Sequence, residues 1–179
     1  MTTVSAPGSA GVEQVIERYS RQYGVDPSLM KGLAWQESGW KQHVVSSSGA
    51  IGVMQVLPQT GEFIAEHLLK EPVNLNDREQ NIKAGVRFFA FYLSKTNGDE
   101  ATAVAGYFQG LRSVWQNGIS EATKKYVASV LALRHRFPTL PPNEPKTAEL
   151  GEGEANGDRT DAALDGIEVD CHQQGVPLE

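Results

Sequence analysis

The sequence predicts an all-α domain followed by a disordered acidic tail, and three observations carry that prediction. Between Val12 and Phe137, apolar residues recur at helical spacing in successive blocks, opened by capping residues and closed by Gly, Asn-Gly or Pro. No convincing strand and no repeat period appears. From Pro141 onward the chain becomes acidic, Gly-rich and aromatic-free, so it cannot bury enough apolar surface to offset the entropy of ordering it. The organisation expected is a flexible lead-in at 1–10, a folded domain at 11–140 and a disordered tail at 141–179.

The first helix is predicted from about Gly11 to Tyr23, with Val12, Val15, Ile16 and Tyr19 on one face and Gly24 as its stop. Asp26 as N-cap and Pro27 in the first turn open the second helix, which Ser38-Gly39 ends. Trp40 to Ile51 reads as a loop, with Ser46, Ser47, Ser48 and Gly49 supplying turn chemistry. Pro58 opens a third helix through Phe63, Ile64, Leu68 and Leu69. Asn76 with Glu79 three residues on reads as a capping box for the longest helix, which runs to about Thr96 with Ile82, Val86, Phe89 and Leu93 inward. Asn97-Gly98 closes it, and Asp99 caps a helix that continues to Gly110. A short segment around Val114-Trp115 precedes a last helix from Ser120 to about Phe137, stopped by Pro138.

Charge divides unevenly. Up to Leu140 there are fourteen Lys/Arg against twelve Asp/Glu, and beyond it two against ten. A net of +2 without a basic cluster is a poor case for nucleic acid binding. The longest apolar run, Val86 to Leu93, contains Arg87 and falls far short of a membrane span. Cys171 is the single cysteine and lies in the acidic tail, so neither a disulfide nor a thiolate metal site is expected. His43, His67, His135 and His172 lack ligand spacing, and no metal or other cofactor is expected. The N-terminus MTTVSAPGSAG has no basic n-region and no apolar h-region. Export would then require a preceding leader, another route, or carriage inside a larger particle such as a virion.

The anomaly in this pattern is Glu37. Met30, Leu33 and Ala34 precede it by seven, four and three residues, so it lies on the apolar face of its own helix. Leaving water disfavours the carboxylate, and a helix C-terminus repels an anion, so both effects favour a retained proton. A general acid needs that property near neutral pH. A glutamate bonded to backbone or to a tyrosine for packing alone is the alternative.

Glu37-Ser38 after an apolar helix, Gly52-Val53-Met54-Gln55 after a loop, and Ala105-Gly106-Tyr107 in a later helix stand in one order. In this combination the chain resembles the soluble lytic transglycosylase domain, which shares its lysozyme-like fold with goose-type lysozymes. The likeness covers roughly Val12 to Phe137, including DREQNIKAG and KKYVASVLAL. It implies an all-helical domain with a substrate cleft. The implied reaction is cleavage of the β-1,4 bond between N-acetylmuramic acid and N-acetylglucosamine in peptidoglycan. Glu37 would be the sole acid and base, and the product a 1,6-anhydro sugar formed with substrate assistance. The nearest carboxylates in sequence, Asp26 and Glu62, read as a cap and a solvated first-turn acid rather than as nucleophiles.

Residue by residue, the resemblance implies that Ser38 orients the acid or touches the sugar, a helix-end turn being the alternative. Gln55 would line the cleft, and Met54 would form wall or core. Tyr107 would hydrogen-bond the catalytic carboxylate. The family continues Ala-Tyr-Asn-Ala-Gly where this chain has Gly106-Tyr107-Phe108-Gln109-Gly110, so Phe108 replaces the asparagine and Gln109 is the candidate substitute. Trp40 is a candidate for stacking on a sugar, whereas Trp35 and Trp115 read as core. The expected partner is a peptidoglycan glycan strand, bound by a monomer outside the cytoplasm or at the cell wall. A muramidase-type hydrolase and a non-catalytic module of a phage tail or secretion apparatus are the competing readings.

Overall fold

A computed structural model describes residues 11–140, and the lead-in and the acidic tail, with Cys171 and His172, lie outside the described residues. Seven α-helices follow in chain order: α1 Val12–Gln22, α2 Pro27–Ser38, α3 Pro58–Phe63, α4 Arg78–Lys95, α5 Glu100–Gln109, α6 Leu111–Asn117 and α7 Glu121–Arg134. The all-α prediction holds among the described residues, where extended pairing is limited to isolated antiparallel bridges, Val45 with Ile51 and Ile51 with Val56.

Helix α2 is central. It packs against α1 and α7, while α5 packs against α4, α6 and α7. Leu29, Met30, Leu33 and Ala34 of α2 are wholly buried and share one core with Val15 and Ile16 of α1, Ile82, Val86 and Phe89 of α4, Val104 and Tyr107 of α5, and Tyr126 and Val130 of α7. Each such aliphatic side chain contributes about 1.5–3 kcal/mol by leaving water, which outweighs helix propensity as the reason these segments stay helical.

The local punctuation works as the residues dictate. Asp26 accepts from Ser28 N at 2.8 Å, Asp99 from Ala101 N and Thr102 N, and Ser120 from Thr123 N. Gly39 ends α2 in the left-handed conformation with φ 61°. Two boundaries differ from the prediction. The cap of α4 is Asp77, which accepts from Gln80 N at 2.9 Å, and not Asn76. Both residue types cap well, and Glu79 is drawn away to Arg18 and Tyr19 of α1, so no capping box closes. The third helix changes at Ile64 into a π-helical turn, Ile64–Leu69, that ends at Lys70 with φ 58°.

The buried ammonium of Lys31 on α2 fixes the other end of the domain. It lies 2.9 Å from Glu17 and 3.3 Å from Glu13, and it donates to Pro138 O at 2.5 Å. Burial opposes ionisation of Glu17, but hydrogen bonds from Lys31 and Arg21 outweigh it and hold the carboxyl below its usual range. The chain after α7 is thereby tied back across α1 and α2.

Candidate active site

Glu37 occupies the penultimate position of α2 and is 1% exposed. The helical register that places Met30, Leu33 and Ala34 in the core carries the carboxyl in with them. Burial pushes its pKa up to about 8, against the opposing pull of a hydrogen bond from Tyr126. No neighbouring carboxylate adds to the shift. The group is therefore an isolated acid, protonated at neutral pH, with one phenol on Oε1.

The phenol is Tyr126 of α7, which is itself 5% exposed. This corrects the expectation for Tyr107. Tyr107 is buried on α5 as expected, but its hydroxyl donates to Met54 O at 2.8 Å, so it holds the loop rather than the acid. Its ring lies with Phe88 and Phe89 of α4 in the core. The next residue, Phe108, faces the other way: its ring lies 4.5 Å from that of Tyr126, at 20° between planes.

The segment Gly52 to Gln55 is folded back against α4 by the side chain of Asn81, which is fully buried. Asn81 accepts from Met54 N at 2.9 Å and donates to Ile51 O at 2.8 Å and Leu75 O at 3.0 Å. Gln42 adds bonds to Leu75 O and from Val53 N. Gly52, at φ 79°, has no room for a side chain: a Cβ there would stand 2.5 Å from the Asn81 amide. Gly85 of α4 plays the matching part beneath Met54, since a Cβ would lie 2.4 Å from that of Met54. Met54 is thus wall and core, as expected.

Gln55 adopts φ 49° and is fully buried. Its Nε2 donates to Val44 O and Gly52 O, both at 3.0 Å, while Oε1 is buried without a hydrogen-bond partner. An unmet acceptor in a strained backbone position is costly for packing alone. Ser38 joins the end of α2 to this loop, donating to Val53 O at 2.8 Å and accepting from Lys41 N at 3.1 Å. That is the helix-end role, extended to the loop that carries Gln55.

Gln109 does not replace the family asparagine as a groove-facing amide. Its Nε2 donates to Ser113 Oγ and Gly118 O, and its Oε1 accepts from Ser120 N and Thr123 Oγ1, so the amide is fully engaged in joining α5, α6 and α7. Two of the tryptophans also depart from expectation. Trp35 is 39% exposed and Trp115 60%, so neither is core. Trp40 is half-buried, donates to Lys31 O, and meets Trp35 edge-on at 5.4 Å and Phe137 at 4.8 Å. Asp26 is engaged by Arg134 as well as by its cap bond, and Glu62 is exposed. Among the described residues no group of three or more His, Cys, Asp or Glu is placed to hold a metal ion, and no helix is long and apolar enough to cross a membrane.

Two site residues escaped the sequence reading. Tyr126 sits within KKYVASVLAL; with Thr123 just before that stretch and Val130 inside it, it follows helical spacing on a buried face, so a phenol on that face was the available signal. Asn81 sits in DREQNIKAG one position before Ile82, and its burial follows from the same register.

Residues 14–129 match the model of the transglycosylase SLT domain. A membrane-bound lytic murein transglycosylase C from Haemophilus ducreyi is 28% identical over 143 residues, covering 68% of this chain and 39% of that protein. A transglycosylase from Enterobacteria phage PRD1 is 30% identical over 118 residues, covering 66% of this chain and 41% of its own length. The chain thus spans less than half of these curated relatives. Among solved structures, the lytic transglycosylase Slt from Pseudomonas aeruginosa shares the fold with TM-score 0.65 at 22% identity, over 69% of this chain and 23% of its own. The 70 kDa soluble lytic transglycosylase from Escherichia coli does so with TM-score 0.64 at 24% identity, over the same shares. The matched segment contains the buried acid, its phenol and the anchored loop, and the chain belongs to the transglycosylase SLT domain family.

Proposed function

We propose that this chain is a peptidoglycan lytic transglycosylase in which Glu37 is the single general acid and base. The observation that carries the reading is a carboxyl buried to 1% exposure, raised to about 8, and hydrogen-bonded by Tyr126 with no second carboxylate acting on it. Such a group can give a proton at neutral pH and take it back within one turnover.

The steps follow from that property. Glu37 donates its proton to the bridging oxygen as the bond from C1 of the muramic acid breaks, and the leaving N-acetylglucosamine departs as an alcohol. Positive charge develops at C1, and the sugar's own acetamido group shields it, which dispenses with a second protein carboxylate. The C6 hydroxyl then attacks C1 while Glu37, now a carboxylate, accepts its proton. The acid is restored, a 1,6-anhydro end is formed, and no water is consumed. In the interval when Glu37 is ionised, the Tyr126 hydroxyl stabilises the charge. Gln55 stands at the end of a loop that Ser38, Asn81 and Tyr107 hold in place beside the acid, and its role toward the glycan is carried by the resemblance.

Mass spectrometry of the muropeptides released from purified cell wall tests this. Anhydro ends from wild type and none from Glu37→Gln are the expected result. Reducing ends would replace the reading with a hydrolase, and unchanged lysis by Glu37→Gln would show that another group is the acid. Binding of wall by both forms without lysis by either would make the domain a non-catalytic module.

A further inference from the structure

We propose that Phe108 is a positioning residue of this site, its ring acting as the buttress that keeps the Tyr126 hydroxyl on Glu37. The inference rests on the assignment of Glu37 as the acid. It concerns the position at which this chain departs from the family pattern, where the asparagine is replaced.

Three observations converge. The rings of Phe108 and Tyr126 are 4.5 Å apart and inclined by only 20°, a close and nearly parallel stack. Tyr126 in turn reaches Glu37 from a helix 89 residues later in the chain, so the bond depends on how α7 and its side chain are held. Phe108 is half-buried, with Tyr107 turned into the core on one side of it and Gln109 locked into the α5–α6–α7 joint on the other. The backbone at 108 is thereby fixed between two fully anchored neighbours, and the ring has one partner in the stack.

Of the two torsions of tyrosine, χ2 only spins the ring about the axis that carries the oxygen, whereas tilting χ1 swings that oxygen by more than a hydrogen bond tolerates. A flat ring against one face forbids that tilt; an amide at the same place would not. The same ring keeps water from the phenol and from the carboxyl behind it. The contact at 108 is one of packing, and its effect on the sugar is exerted through Tyr126 and Glu37.

The titratable groups around Glu37 are few. Tyr126 faces it from α7, and Tyr107 of α5 is engaged at Met54 O. The charged sets on α2, Lys31 with Glu13 and Glu17, and Asp26 with Arg134, lie about 9 Å or more toward its N-terminus. A change in Glu37 ionisation in a Phe108 variant is therefore read as a change in burial and in the Tyr126 bond.

The test is carbon-detected NMR titration of Glu37 in the full chain carrying Phe108→Asn, Phe108→Leu and Phe108→Tyr, alongside kcat and KM on purified wall. Phe108→Asn is expected to lower the Glu37 midpoint, because water relieves burial, the larger of the two influences on it. It is also expected to reduce kcat by roughly three- to ten-fold with little change in KM. Phe108→Leu, which keeps water out if the asparagine variant fails to fold but offers no flat ring, is expected to raise the midpoint slightly, the direction of a loosened Tyr126 bond, and Phe108→Tyr to restore both readings. In a Tyr126→Phe background the kcat effect of Phe108→Leu should vanish. An unshifted midpoint and unchanged kcat in both Phe108→Asn and Phe108→Leu would overturn the inference, as would an undiminished Phe108→Leu effect without the Tyr126 hydroxyl. The titration needs no turnover, so it reports on the buttress even if Glu37→Gln shows that the acid has been misassigned.

Discussion

Tyr126 donates its hydroxyl to Oε1 of Glu37 across the interface of α7 and α2, and this is the contact through which the last helix of the domain reaches the acid. Burial raises the pKa of the carboxyl and the phenol lowers it, so the two opposing influences set how readily the group gives and recovers its proton. Acid and base duty by one side chain needs that balance, because a proton held too tightly is never given and one held too loosely is absent when needed.

Removing the phenol hydroxyl isolates one side of the balance. Tyr126→Phe is expected to raise the Glu37 midpoint above about 8, because only the lowering influence is lost. Turnover of cell wall should fall on the order of ten- to a hundred-fold, the worth of a hydrogen bond to a charged group. A pH–rate profile with the variant checks both: the alkaline limb, where Glu37 loses its proton, should move upward, and a limb moved downward would contradict the assignment.

The loop that carries Gln55 depends on one amide. Asn81→Ala would leave Met54 N without an acceptor and take one donor each from Ile51 O and Leu75 O, which keep those from Val56 N and Gln42. A loss of about 2 kcal/mol in urea unfolding is expected, since one buried amide is left unpaired. Unfolding within a few tenths of a kcal/mol of wild type would show that Asn81 does not anchor the segment.

The raised acid also has a signature in stability. Below pH 4.5 Glu37 is protonated in both folded and unfolded chains and costs nothing by ionising. Between there and about 8 the unfolded chain releases the proton that the folded chain keeps. The unfolded state then binds fewer protons, so stability falls as pH rises, by at most about 1.4 kcal/mol per unit. Glu37→Gln lacks this group, so its stability relative to wild type should increase through that window and level off above it. Denaturation at a series of pH values measures the difference, and parallel curves would show an unshifted carboxyl.

Much of the fold was legible in the sequence because its determinants are local. Asp26-Pro27, Asp99 and Ser120 open helices through side chains that bond amides two or three residues on, and Gly24 and Gly39 adopt the positive φ that ends them. The burial of Glu37 was legible for the same reason, since its own helix states the register. The identity of its phenol was not. Tyr107 and Tyr126 both lie on buried faces, and which of them reaches the acid is set by the packing of α2, α5 and α7, a relation between residues 89 apart. Gln109 likewise had donors and acceptors to spare in sequence, and only the meeting of three helices shows them all engaged. Trp35 and Trp115 were read as core from residue type alone, but their positions face solvent.

The central claim is that Glu37 holds its proton at neutral pH, and its ionisation can be followed directly by carbon-detected NMR of the glutamate-labelled chain with Glu37→Gln to assign the signal. A midpoint near 8 is the result predicted here. A midpoint near 4.5, with the carboxyl charged throughout the working range, would contradict it.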